Sequence, residues 1–284
     1  MHLRALAFAS LLSGLAAFPA RADAPVAPLL SMQAAHKLAT DALASVLQKL
    51  PAADRQKIVG AYVAFHADPR DPNVFAGCDD DGDYVIVMSD AMLVLADAFA
   101  RAKATDEAHG TEKVAQYAAF LANGQRPGER LLAPPPGFFE RSQATPELSE
   151  LQSKHFRALV THLLAAEAAH MLAGDLVCTA PTATHERGDD VWTGQEHATA
   201  FAAAAKVHDT RHVVVADARG TGIALAAGES ESAMVSFLMP LMAAIELSTN
   251  ARASFGYARL HPGALVRTEI VRTAALRQKG DKKP

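Results

Sequence analysis

The sequence predicts a mostly helical α+β fold, on three observations. Apolar residues recur at helical spacing along most of the chain, as in Leu30, Ala34, Leu38, Leu43, Val46, Leu47 and Leu50. One run, Tyr84-Val85-Ile86-Val87-Met88, is β-branched and aromatic and has the composition of a strand. Half of the 284 residues are hydrophobic (50%), enough to bury the core of one large domain.

The first 22 residues have the form of a secretory leader. Arg4 supplies the positive start, Ala5 to Phe18 the apolar stretch, and Ala20-Arg21-Ala22 a small-x-small cleavage site. The apolar stretch is too short to span a bilayer. The expected organisation is therefore a signal peptide over 1–22, a single domain over 23–278 and a disordered basic tail over 279–284. Without Arg4 and Arg21 the 27 basic residues fall to 25 against 31 acidic ones, a charge of −6. That balance gives no reason to expect nucleic acid or an anionic membrane as partner. The apolar run Met234 to Leu247 is interrupted by Pro240, so no membrane span is expected in the mature chain. The expected location is periplasmic or secreted. In such a compartment the two cysteines, Cys78 and Cys178, predict one disulfide, the alternative being two buried thiols.

Element by element, a helix over about 29–50 ends at Pro51 and a second is expected from Asp54 to Phe65. Asp68-Pro69-Arg70-Asp71-Pro72 is a turn, and Asp79 to Asp83 a second, acidic one before the strand. Ser89 and Asp90 are N-caps for a helix over 91–104. Residues 124–146, rich in proline and glycine, predict a loop. A long helix then runs from Leu148 to Ala173 and stops at Gly174. Further helices are expected over 195–207, 229–250 and 264–277, with a short strand at His212 to Asp217.

The long helix carries the chemistry. Ala166-Glu167-Ala168-Ala169-His170 has the form of the zinc-protease motif H-E-x-x-H with its first histidine replaced by alanine. In that motif two histidines on one helix face grip Zn²⁺ and the glutamate acts as general base on the metal-bound water. Three further segments follow the same order. Asn73-Val74-Phe75-Ala76 precedes the strand and Ser89-Asp90-Ala91. Glu229-Ser230-Glu231-Ser232-Ala233 has the form E-x-E-x-A, and His261-Pro262 is followed by Arg267.

Together these segments resemble the zinc endopeptidases that include the CAAX prenyl protease, the heat-shock membrane protease and periplasmic quality-control proteases. The resemblance implies a zincin-like metallopeptidase domain with a short edge sheet beside the active-site helix. It implies Glu167 as general base, His170 and Glu229 as zinc ligands, and His261 as oxyanion stabiliser. Tyr84, Val85, Ile86, Val87 and Met88 would form the edge strand along which an extended substrate adds.

Two departures set the expected outcome. Ala166 stands where the family has a ligating histidine, and Ala233 where it has an aspartate that orients one. These are the lost-site positions, and as a hydrogen-bonded pair they would form a matched loss. His162 is about 12 Å from His170 along the helix, too far for one tetrahedral ion. Nothing in the spacing recommends His155, His185, His197, His208 or His212 as a replacement. Two remaining ligands would bind zinc weakly, so no tightly bound metal is expected. The leading expectation is a secreted pseudoprotease that binds a polypeptide client or protein partner. The alternatives are an active zinc-dependent endopeptidase using Glu167, and a non-enzymatic helical envelope protein in which Glu167 is a buried acid paired with Arg267 or His261.

Overall fold

The computed structural model describes residues 30–139, 145–179, 192 and 194–281. The expected leader and residues 282–284 of the expected tail lie outside the described residues.

Helix α1 (Met32–Lys49) starts at Ser31, whose hydroxyl accepts from the Ala34 N–H. Helix α2 (Ala52–Lys57) is shorter than expected, and the residues assigned to its second half form strand β1 (Tyr62–His66). Gly60, at φ 75°, turns the chain out of the helix. The β-branched and aromatic residues of Tyr62-Val63-Ala64-Phe65 then fit a pleated surface better than a helix.

Strands β2 (Val74–Cys78) and β3 (Tyr84–Ser89) form a hairpin. Its turn is closed by Asp79, whose carboxylate accepts from the Asp83 N–H at 2.8 Å, and by Gly82 at φ 86°. The sheet order is β1-β3-β2, with β3 parallel to β1 and antiparallel to β2. Tyr84 to Met88, expected as the substrate edge strand, is thus the central strand. Both of its edges are taken by neighbouring strands, so no extended peptide can add to it. Its unbroken apolar run reflects burial on both faces.

Helix α3 (Asp90–His109) is capped by the Ser89 hydroxyl at one end and by Gly110 at φ 65° at the other; α4 (Lys113–Gly124) follows. Helix α5 (Pro146–Ala173) has Pro146 in its first turn, where a missing N–H is harmless, and Thr145 as cap. Then come α6 (Gly194–Val207) and α7 (Thr210–Ala226). The expected strand at His212 to Asp217 lies within α7, because the Asp209 carboxylate accepts from the N–H groups of Arg211 and His212 and starts a helix there.

The expected helix over 229–250 is divided. A π-helical stretch (Met234–Leu238) leads into α8 (Met239–Glu246), and α9 (Thr249–Ser254) follows. Pro240 cannot donate to the ladder of the preceding turn, and the widened π turn sits just before it. Helices α10 (Gly256–Leu260) and α11 (Ala264–Asp281) end the described chain. Residues 279–281 of the expected tail are helical, and Lys279 pairs with Glu231 at 2.6 Å.

Helix α5 is the axis of the fold. From Ala158 to Leu172 its side chains are buried all round, which suits a helix with apolar residues on every face. The large core gathers α1, α3, α5 and the C-terminal helices on one face of the sheet, while Tyr62, Ala64, Phe75, Val85 and Val87 pack on the other face against Ala200 and Ala204 of α6. Successive residues of β3 therefore point into different cores, as strand geometry requires.

Cys78 and Cys178 form a disulfide. A bonded pair is compatible with a periplasmic or extracellular setting. None of the described helices is long and apolar enough to cross a membrane.

Candidate metal centre

Glu167, His170, His208 and His261 each offer one ligand atom to a common space, and these atoms lie within 4.8 Å of one another. All four residues are buried, with relative exposures of 0%, 1%, 7% and 1%.

Each arrives from a different piece of local structure. Glu167 and His170 are three apart on α5, so they share a face. His208 follows the last residue of α6, at the junction with α7, and His261 caps the end of α10. The segment before β2 fixes α10 in place. Pro72 O accepts from the Tyr257 N–H at 3.1 Å, and the Asp71 carboxylate accepts from the Gly256 N–H and from Arg259.

The arrangement of the ring nitrogens is systematic. His170 Nδ1 lies 2.7 Å from Asp175 Oδ2, His208 Nδ1 2.9 Å from Ala204 O, and His261 Nδ1 3.1 Å from Tyr257 O. Each acceptor holds a proton on Nδ1 and leaves Nε2 as the ring atom that faces the common space. The three Nε2 atoms and Glu167 Oε1 are buried without a hydrogen-bond partner. His261 Nε2 and Glu167 Oε1 are only 2.9 Å apart, yet they are not aligned on each other. The other oxygen, Glu167 Oε2, is held by the Ala76 N–H of β2 at 2.8 Å.

Asp175 reaches His170 because α5 ends in a paired C-terminal turn. The Gly174 N–H bonds Met171 O, the Asp175 N–H bonds His170 O, and Gly174 takes φ 78°. This is the Schellman arrangement, with the glycine at its left-handed position. Around His261, Tyr257 stacks on the ring at 4.2 Å, and Arg267 donates to His261 O and to the Tyr257 hydroxyl while pairing with Asp217. Arg267, an expected partner of Glu167, serves instead to brace α10 against α7.

The charges are interdependent. Burial lowers the pKa of His170, and it lowers that of His261 to about 4. Burial also opposes the charged form of His208, but the Glu167 carboxylate beside it outweighs that and raises its pKa. Burial would raise Glu167, yet His261, His208 and His170 together hold it well below the usual carboxylate range.

The donor set fits a first-row transition ion. Three imidazoles with one carboxylate suit zinc, and Zn–N and Zn–O bonds are about 2.0–2.2 Å. Ligand atoms around a tetrahedral ion then lie about 3.4 Å apart, so the present spread closes with side-chain movements of about an ångström. Zn²⁺ with the Glu167 and Asp175 carboxylates is neutral overall, which removes the penalty of a buried net charge.

Of the expected site residues, Glu167, His170 and His261 come together. Glu229 does not join them; its carboxylate takes Arg157 Nε at 2.9 Å. Ala166 lies where α7 crosses α5, its backbone against Gly220, and Ala233 is fully buried in the large core at the start of the π-helical stretch. Neither alanine belongs to the convergent group. The converging residue that sequence reasoning missed is His208. Its only local signal is the following Asp209, a helix cap, which marks the histidine as sitting at a fixed inter-helix corner rather than in a free loop.

No family model, curated protein or solved structure matches this chain.

Proposed function

We propose that this is a zinc-binding protein whose ion is held by His170, His208, His261 and Glu167 in a closed interior centre. The supporting observation is the set of four buried ligand atoms that converge without hydrogen-bond partners, while every opposite Nδ1 is occupied. Leaving such groups unpaired costs about 1–3 kcal/mol each, a penalty that an ion removes. Four protein ligands sealed from solvent favour an ion-holding or structural role, because catalytic zinc keeps one position for water. The pseudoprotease expectation assumed two ligands and a strand edge at Tyr84 to Met88; His208 adds a third imidazole to the group, and β3 lies between β1 and β2.

A second reading is zinc-dependent hydrolysis, with three imidazoles as ligands and Glu167 as base. The Ala76 N–H favours it, since that bond holds the carboxylate beside the imidazoles independently of any ion. The resemblance of the Ala166–His170 segment to the zinc-endopeptidase motif is the other support for this reading.

One experiment separates the two. The purified protein is expected to hold one zinc per chain by elemental analysis, and His208→Ala to lose it. In the closed-centre reading Glu167→Gln weakens zinc by more than ten-fold and no peptide is cleaved. Full zinc in Glu167→Gln with chelator-sensitive cleavage by the parent protein would establish the hydrolase instead. Zinc unaffected by His208→Ala would remove both.

A further inference from the structure

The disulfide reaches the metal centre from two sides. Cys78 ends β2, two residues after Ala76, whose N–H holds Glu167 Oε2 at 2.8 Å. Cys178 lies three residues beyond Asp175, whose carboxylate holds His170 Nδ1 at 2.7 Å. One covalent bond thus ties together the two chain segments that orient two of the four ligand side chains. The segment after α5 is irregular and Val177 is 78% exposed; besides the bridge it is held by the Gly174 turn and by Leu176 against the large core.

We propose that the Cys78–Cys178 bridge is part of the metal centre's outer support, so that the oxidised protein retains zinc and reduction by a dithiol releases it. This inference rests on the metal-binding reading. In the exchange, a dithiol supplies two electrons and two protons. The S–S bond breaks, Cys78 and Cys178 become thiols, and the reductant closes into its own disulfide. Strand β2 and the Asp175 segment are then no longer joined, and the Asp175 carboxylate loses the covalent restraint that ties it to the strand holding Glu167. Groups that orient metal ligands in this way are each worth about 10–100-fold in affinity. Asp175 also carries the charge that balances the ion, so its displacement acts on both geometry and charge.

The competing account is that the Gly174 turn alone places Asp175, in which case the bridge adds stability and nothing more. Zinc competition with a chromophoric chelator distinguishes them. Three samples are compared: oxidised protein, protein reduced with a dithiol and desalted without oxygen, and Cys78→Ser/Cys178→Ser. Helical circular dichroism is recorded on each. The oxidised protein is expected to bind zinc, and the other two to bind it at least ten-fold more weakly with helical signal unchanged. Asp175→Ala, with its bridge intact, is expected to lose a similar factor.

Equal affinity before and after reduction overturns the coupling, as does tighter binding through the freed thiols. Loss of zinc that accompanies loss of helical signal assigns the bridge to general stability and also overturns it. Oxidised protein that binds no zinc sinks the metal reading itself, a separate result.

Discussion

His162 and His170 share helix α5 and nearly the same burial, yet they do different work. His162 points its Nε2 at Ser230 O, 2.9 Å away, and joins no cluster. Burial depresses its pKa to about 4. The folded value lies below the ordinary 6.5, so between these limits the unfolded chain binds the additional proton. The contribution is therefore fully present above pH 6.5 and is lost as pH falls toward 4, by up to about 1.4 kcal/mol per pH unit. His162→Gln keeps a donor for Ser230 and removes the titration. Urea unfolding at pH 7 and pH 4.5 should show a smaller acid loss for the variant than for the parent, and identical losses would show that His162 does not titrate in this way. At this scale the sequence marked three of the four converging residues, Glu167 and His170 through the helix motif and His261 through the His261-Pro262 segment followed by Arg267. It was misleading for Glu229, where an acidic residue at a helix approach was taken for a ligand and proves to be Arg157's partner.

Helices α5 and α7 cross at Gly220 and Ala166, and this contact explains the glycine at position 220. A Cβ on Gly220 would lie 2.7 Å from Ala166 Cα and 2.8 Å from Ala166 N, both backbone atoms that cannot turn aside. Gly220→Ala should therefore force the helices apart and cost about 1–3 kcal/mol, read as a lower thermal midpoint; an unchanged or higher midpoint would show that the crossing is slack. The same crossing places α7 against α5, with the α6–α7 corner that carries His208 at its start. Helix identities were largely readable from apolar spacing, as over 32–49 and 146–173. The errors fell where period alone is ambiguous. Tyr62 to His66 continued a helical pattern but carried strand-forming residues, and His212 to Asp217 carried valines whose β preference was overruled by the Asp209 cap.

Across the whole molecule, the centre is a junction. Helix α5 brings two of the four converging residues, the α6–α7 corner one and α10 one, while the Ala76 N–H of β2 holds Glu167 from outside. The residues involved are far apart in the chain, from Ala76 to His261, and no local pattern encodes their meeting. Sequence could supply the pieces of this site and the disulfide, but not the convergence of His208 and His261, which depends on how α7 and α10 pack. X-ray absorption of the zinc-loaded, oxidised protein tests that convergence most directly. A single zinc surrounded by four nitrogen and oxygen neighbours at about 2.0 Å, with multiple scattering from three imidazoles, is the predicted result. Sulfur neighbours at about 2.3 Å, or an ion ringed mainly by water, would contradict it.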